Sequence, residues 1–574
     1  MTAIMKKIFP FLVWMPQLNR RNLGNDFIAG ITVALVLIPQ SMAYANLAGL
    51  PAYYGLYAAF LPGAVAGLFG SSRQLATGPV AVVSLLTASA LAPLATLGSD
   101  GYIALAVALS LMVGLVQISL GLMRLGVVVN FLSHPVIIGF TNAAAIIIGL
   151  SQLSKIFGVQ MGRSEHFLVD ILGVLQQIGQ THLPSLIFGV AAFVIMMALK
   201  KYRPKLPNVL IAVSLTTLLS WLIGFQNMGG KVVGTIPAGL PSLSLPHIDG
   251  SMIASLLANA VIISLVGFME AISIAKAMAA RTKTALDPNQ ELIGQGLANM
   301  VGSLTQAYPV SGSFSRSAVN INAGAFSGAS SLFTAISVLI TLLFLTPLLY
   351  HLPEAVLAAV IMMAVVGLVN FKAISHAWHA SRHDGVASVV TFLATLGFAP
   401  HLDHGILLGA GLSILLFLYR TMQPRVAFLG RYQDGTLRDL LIHPQLPDDD
   451  RIIVMRFDGQ LYFANVSYFE DSLLSALEKK PKAKYLLVVG DGINQLDASG
   501  EEVIRHLVER LQEHGMALMF SGLKRQVLTV MRNTGLFDLL GGDDNIFASD
   551  DIALRSIYQR IGDPDGPCPL MPGR

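Results

Sequence analysis

Gln40 and Tyr44 stand four residues apart in a stretch, residues 27–72, that holds no charged side chain. That spacing puts both on one helix face, where an amide and a phenol can each donate to an anion; the bland alternative is hydrogen bonding between helices. Glu270 closes an uncharged run that begins at Gly250. A carboxylate at such depth is costly and is a natural carrier of a coupling proton. Arg316 follows in a polar cluster with Ser313, Ser315 and Asn320. Ser315 and Arg316 are the candidates for anion contact and local positive potential, and a structural Glu270–Arg316 pair is the competing reading. Lys276 and the run Asn289-Gln290-Glu291 are expected to cap and orient helices near the cytoplasmic face.

These residues lie in two stretches that look like copies. Ile38-Pro39-Gln40-Ser41-Met42-Ala43-Tyr44-Ala45 precedes Thr77-Gly78-Pro79-Val80, and Phe268-Met269-Glu270-Ala271-Ile272-Ser273-Ile274-Ala275 precedes Ala307-Tyr308-Pro309-Val310. Gln40 and Glu270 are 230 residues apart, as are Pro79 and Pro309. Proline suits the first turn of a helix and not its interior, so each of these two starts, or immediately precedes, a half-helix beginning inside the membrane. The exposed N–H groups at such an end favour negative charge. Two ends facing each other make an anion site without a cationic side chain. A Pro-kinked continuous helix is the alternative for either proline taken alone.

The composition supplies the elements to position them. Of 574 residues 54% are hydrophobic and 12% charged, against about 25% charged in soluble domains. Residues 1–425 hold 11 acidic and 21 basic side chains, residues 426–574 hold 22 and 16. The first part reads as membrane domain and the second as soluble domain. The basic excess is read as loop charge near anionic lipid, and no nucleic-acid partner is expected. The single cysteine, Cys568, excludes an intrachain disulfide. No cleavable signal peptide, nucleophile–base pair, metal cluster or phosphate loop stands out, so neither an enzyme nor a bound metal or cofactor is expected.

At about 20 residues per span, the apolar segments are 27–48, 54–70, 79–95, 102–122, 132–153, 184–200, 207–225, 252–278, 290–305, 315–325, 329–350, 354–370, 386–400 and 402–420. That makes fourteen spans in repeats of about 20–225 and 250–420, with both termini on one side. Lys6, Lys7, Arg124, the Lys200-Lys201-Arg203-Lys205 cluster, Arg281-Lys283 and Arg420-Arg425 mark that side as cytoplasmic. Residues 440–562 read as an α/β domain, with strands at 451–458, 461–466, 485–489 and 517–520 and helices between. Residues 563–574 read as a flexible tail.

The stretch from Asp26-Phe27-Ile28-Ala29-Gly30 through Ile38-Pro39-Gln40-Ser41-Met42-Ala43-Tyr44-Ala45 resembles the sulfate permease family, called solute carrier family 26 in animals. So do Tyr54-Gly55-Leu56-Tyr57, Asn289-Gln290-Glu291-Leu292 and Pro309-Val310-Ser311-Gly312-Ser313-Phe314-Ser315-Arg316-Ser317. The resemblance implies an α-helical membrane protein of two inverted seven-span repeats, with spans 1–4 and 8–11 as a mobile core and the rest as a gate. It implies a homodimer and elevator-type alternating access. It places anion contacts at Gln40 and Tyr44, at the backbone of Val80 and Ala81, and at Phe314 and Ser315. Some relatives carry an aromatic residue where Val80 stands. Sodium-coupled bicarbonate members tend to have Asp at the position of Glu270, and Glu there is more similar to proton-coupled members. Leu496-Asp497-Ala498-Ser499-Gly500 resembles the motif of the STAS domain, shared with anti-sigma-factor antagonists, in which the serine matching Ser499 is phosphorylated. Plain helix capping by Asp497 or Ser499 is the alternative. The expectation is therefore a bacterial inner-membrane transporter of a small inorganic or carboxylic anion. Sulfate with a proton, rather than sodium, comes first; bicarbonate, dicarboxylate or chloride exchange, an uncoupled channel and a membrane-tethered signalling protein are the rivals.

Overall fold

The structure is a computed structural model that describes residues 5, 8–126, 133–162, 166–203, 206–237, 239–246, 250–562 and 568–571. Lys6, Lys7 and Lys205 lie outside them. The chain divides into two compact units, Met1–Ser413 and Ile414–Arg574.

The apolar segments are helices α1 (Arg20–Leu47), α2 (Tyr53–Phe69), α3 (Ala81–Leu91), α4 (Asp100–Leu122), α5 (His134–Ser151), α6 (Leu183–Tyr202) and α7 (Asn208–Ile223). The second set is α8 (Gly250–Thr282), α9 (Pro288–Leu304), α10 (Phe314–Asn322), α11 (Ala329–Ile340), α12 (Glu354–Val366), α13 (Arg382–Phe398) and α14 (Leu402–Met422). Each of the fourteen expected segments falls on a helix. Among the described residues, eight helical stretches are long and apolar enough to cross a membrane. At 1.5 Å per residue, α3 and α10 reach only about 16 and 13 Å, half of the ~30 Å hydrocarbon core. Neither is long enough to cross it alone.

Sequence explains where several helices begin. Asn19 accepts from the Asn22 N–H at the start of α1, and Ser99 from the Tyr102 N–H at the start of α4. Asp287 accepts from the N–H groups of Asn289 and Gln290, so it, and not Asn289, caps α9. Buried Asp26 does a longer-range task. It accepts from the Phe326 N–H (2.6 Å), the Ser327 N–H (3.0 Å) and the Ser327 hydroxyl (2.6 Å), fastening the loop before α11 to α1.

The helices pack crosswise between the two halves. α4 lies on α8 and α9, and in exchange α11 lies on α1 and α2. A second group joins α5 to α12 and α13, and α12 to α6. Glycine sets the closest of these contacts: a Cβ on Gly114 would sit 2.7 Å from the Gly296 carbonyl oxygen, so α4 and α9 meet backbone to backbone.

The C-terminal unit contains β3 (Arg425–Arg431), β4 (Leu437–Asp439), β5 (Ile452–Asp458), α15 (Val466–Lys479), β6 (Tyr485–Val489), α16 (Ala498–Glu513), β7 (Ala517–Ser521), α17 (Arg525–Asn533), β8 (Ile546–Phe547) and α18 (Asp550–Ile561). Its sheet runs β4-β3-β5-β6-β7-β8, parallel from β5 to β8 and antiparallel at β3 and β4. Apolar side chains fill both faces, Phe457, Phe469 and Leu507 on one and Leu487, Leu554 and Ile557 on the other.

Two expectations fail here. Residues 461–466 are not a strand: Leu461 makes one bridge to Leu496, and Asn465 turns the segment by bonding the Gln460 carbonyl and the Tyr462 N–H. The tail is not flexible throughout. Leu570 is fully buried in the second core, and its carbonyl accepts from Arg431 Nε at 2.7 Å. Residues 563–567 and 572–574 lie outside the described residues. The sheet also draws β3 and β4 from residues 425–439, ahead of residue 440.

Candidate binding site between two half-helices

The approaches to α3 and α10 are extended chain, and they pair. β1 (Thr77–Gly78) runs antiparallel to β2 (Ser311–Gly312), with Thr77 opposite Gly312 and Gly78 opposite Ser311. Side chains brace the crossing. Ser317 Oγ accepts from the Ala76 N–H, Asn320 donates to the Gln74 carbonyl, and the Tyr308 and Ser84 hydroxyls lie 3.2 Å apart. The two half-helices therefore meet as one braced unit.

Each half-helix begins without a side-chain cap. Val80 is the N-cap of α3, extended at φ −136° and ψ 151°, and its side chain has no acceptor; Ala81 opens the helix. Ser313 is the N-cap of α10 and its hydroxyl bonds no first-turn N–H. It lies 3.4 Å from the Ser315 hydroxyl instead. Uncapped first-turn N–H groups within the membrane need an acceptor.

Pro79 directly precedes the α3 cap. Pro309 does not start α10: three residues, Val310 to Gly312, separate it from the cap Ser313, and β2 occupies part of that gap. The caps Val80 and Ser313 are 233 residues apart, three more than the matched prolines.

Gln40 and Tyr44 are both buried on α1, and Gln40 Oε1 has no partner. Glu270 lies on α8 with Oε2 buried and unpartnered. Arg316 is wholly buried on α10. Its Nη2 donates to the Pro79 carbonyl at 2.8 Å, tying α10 to the entrance of α3, while Nε and Nη1 have no partner. No ion pair joins Arg316 to Glu270, whose Oε2 is without a partner, so the structural-pair alternative is not what this conformation shows. α1 packs on α3 and α10, and α8 packs on the same two helices, so the elements that carry Gln40, Tyr44, Glu270, Arg316 and the Val80–Ala81 backbone are neighbours. Phe314 and Ser315 differ, since both side chains are exposed. Arg316 Nε and Nη1 and the two uncapped helix ends are donors that can attract an anion, whereas the unpartnered Gln40 Oε1 and Glu270 Oε2 are acceptor oxygens that need a donor of their own. Among the described residues no group of three or more His, Cys, Asp or Glu side chains is placed to hold a metal.

Sequence reasoning missed Tyr308, Ser317, Gln295 and Asn299. The last two, with Glu291, sit at four-residue spacing in an apolar helix, a signal that could have found them. Glu291 is more than a surface cap: it is buried and accepts from the Ser71 and Ser72 N–H groups, each at 2.8 Å.

Ser499, in the C-terminal unit, is the second residue of α16. Asp497 caps that helix through the Gly500 N–H (2.8 Å) and also accepts from the Phe463 N–H (2.9 Å).

The family model described as "Sulfate permease family" matches residues 23–391, a stretch that holds every part of the half-helix site. The chain belongs to the sulfate permease family. It is a family of transporters, and the STAS domain model matches residues 443–552. Sulfate transporter 4.1, chloroplastic, of Arabidopsis thaliana is 36% identical over 90% of this chain and 77% of its own length. The sodium-independent sulfate anion transporter of Bos taurus is 33% identical over 94% of this chain and 90% of its own. Among solved structures, the murine solute carrier 26 family member A9 anion transporter in the inward-facing state matches with a TM-score of 0.89. It covers 97% of this chain and 95% of that one at 23% identity, a likeness of fold. This member of the sulfate permease family is thus a multi-pass membrane protein.

Proposed function

We propose that this chain is a secondary active transporter of a small anion, sulfate first, driven by proton symport through elevator-type alternating access. The observation that carries the reading is the pair of uncapped half-helix ends braced by β1 and β2, with buried Arg316 left largely unpartnered between them. The names of the relatives support sulfate as the anion. In this reading the N–H groups at Ala81 and Ser315 and the Arg316 charge attract the anion. Gln40 and Tyr44 donate to it from α1, and Val80, Ala81 and Phe314 shape the opening. Glu270, near Arg316 but not paired with it, takes up the coupling proton and lets the loaded core move. The core would be α1–α4 with α8–α11 and the gate α5–α7 with α12–α14, the two meeting where α7 and α12 pack on α1 and where α5 and α12 pack on α3. A homodimer with its N-terminus and STAS domain in the cytoplasm completes the proposal, with residues 1–425 as transport domain and 440–562 as STAS domain. Ser499 is a candidate regulatory phosphosite at a helix start, where a phosphate is favoured. The cited relatives are plant and mammalian, so the proposed membrane is a cell or organelle membrane without restriction to bacteria.

Labelled sulfate uptake into proteoliposomes tests this, with and without an inward proton gradient and with bicarbonate, fumarate and chloride as competitors. Gradient-driven uptake blocked by sulfate alone is the expected result. Uptake indifferent to the gradient rejects symport, and flux of another anion in place of sulfate replaces the substrate.

A further inference from the structure

Three polar side chains share one buried face of α9: Glu291, Gln295 and Asn299. None reaches the uncapped helix ends. They reach the extended chain that leads to each end.

Asn299 holds the approach to α10. Its Oδ1 accepts from the Val310 N–H at 2.8 Å and its Nδ2 donates to the Val310 carbonyl at 3.2 Å. The side-chain amide thus pairs with both backbone groups of one residue, as a neighbouring strand would. Nδ2 also lies 3.0 Å from Gln117 Oε1 on α4. Gln295 holds the approach to α3. Its Nε2 donates to Thr77 Oγ1 at 2.8 Å and to Glu291 Oε1 at 3.2 Å.

The two anchor points correspond. Thr77 lies three residues before the cap Val80, and Val310 three before the cap Ser313. One helix therefore grips both approaches at the same distance from their ends. Four residues separate the two grips, a rise of about 6 Å along α9. The helix cannot readily shift to change that offset. Besides its glycine contact with α4, α9 carries Gly294 against the backbone of Gly70, and Glu291 ties it to Ser71 and Ser72.

We propose that Asn299 and Gln295 are positioning residues that fix the gap between the two half-helix ends and thereby set which size of oxyanion is accepted. This rests on the anion site proposed above. A tetrahedral dianion bridging two sets of N–H groups is sensitive to their separation, since donor–acceptor distances that work span only a few tenths of an ångström. A side chain that holds the spacing need not touch the anion to select it. A merely structural role would instead weaken transport of all anions alike.

The test is transport kinetics in proteoliposomes, comparing sulfate with the larger selenate and molybdate, for Asn299→Ala, Asn299→Gln and Gln295→Ala. Expected is a KM for sulfate raised roughly tenfold, with Vmax within about threefold and a selenate-to-sulfate preference shifted by at least about threefold. Asn299→Gln, one methylene longer, pushes the approach to α10 instead of releasing it, and shifts the preference differently from Asn299→Ala. Asn299→Ser has too short a side chain to hold the Val310 N–H, and shifts KM and the preference as Asn299→Ala does. If Asn299→Ala does not assemble, Gln295→Ala and Asn299→Ser are read by the same ratio. Equal loss for all three anions, or no change in KM, overturns the proposal. Gln40→Ala run alongside separates the two ideas. If it raises KM while the α9 variants do not, positioning fails and the site stands; if it leaves every KM unchanged, the site itself is misplaced.

Discussion

Replacing Arg316 by Met asks how much of anion recognition is charge. The substitution removes a buried guanidinium and its bond to the Pro79 carbonyl, and leaves a chain of similar length. Pro79 immediately precedes the α3 cap, which puts the charge on the order of 7 Å from an anion at the helix end. With an effective dielectric constant of about 20 to 40, the Coulomb energy is about 1–2 kcal/mol for each unit of anion charge. A dianion therefore loses about 1–2 kcal/mol more than a monoanion, roughly tenfold in affinity. Stability moves the other way. Nε and Nη1 have no partner in the folded protein, and exchanging an unpaired buried charge for an apolar chain is often neutral or stabilising. The assay is sulfate uptake competed by chloride and nitrate, together with the unfolding temperature of the purified protein. Sulfate KM should rise about tenfold more than the monoanion inhibition constants, with no fall in unfolding temperature. If sulfate and the monoanions weaken by the same factor in a folded protein, Arg316 acts through its bond to Pro79 and the charge argument is wrong.

Three further perturbations test separate links. Glu270→Gln removes the proposed proton carrier, and sulfate uptake should then proceed equally at pH 6 and pH 8 without stimulation by a proton gradient; retained stimulation would assign coupling elsewhere. Asp26→Ala leaves the Phe326 and Ser327 N–H groups buried without their acceptor, which should cost about 3 kcal/mol and show as a lower unfolding temperature of the whole protein. In the C-terminal unit, burial alone would raise the Asp449 carboxyl, but hydrogen bonds from Arg451 and Tyr558 hold it below its ordinary value. A depressed folded-state value means that ionised Asp449 contributes stability above the unfolded value of about 3.9, and that this is lost as pH falls through the folded value. Asp449→Asn should thus weaken hydrogen-exchange protection of residues 452–458 by about 1 kcal/mol at pH 7, with a difference that shrinks toward pH 3; a difference independent of pH would mean that the charge is not what matters.

The parts legible in sequence were those with a strong local cost. Glu270 after twenty uncharged residues, a charge density that changes near residue 425, and prolines beside polar chain inside apolar runs each violate what a plain membrane helix allows. The four-residue spacing of Asn299 and Gln295 with Glu291 marks a polar face but not its task, because an amide in an apolar helix reads the same whether it joins two helices or holds a strand. β1 and β2 were invisible for a related reason: two-residue strands have no alternation to detect, and their pairing depends on segments more than two hundred residues apart. Pro309 shows the limit of reading a repeat by matched residues. Gln40 and Glu270 keep one offset, whereas the helix caps keep another, three residues longer. The second half absorbs the excess as extended chain before α10. Within that length Val310 meets Asn299 and Ser311 bonds the Gly267 carbonyl at 2.6 Å, one turn before Glu270. The halves thus share an architecture of facing helix ends but not a register. The added chain links the α10 end of the proposed anion site to the helix that carries the proposed proton carrier, a connection with no counterpart at the matched prolines themselves.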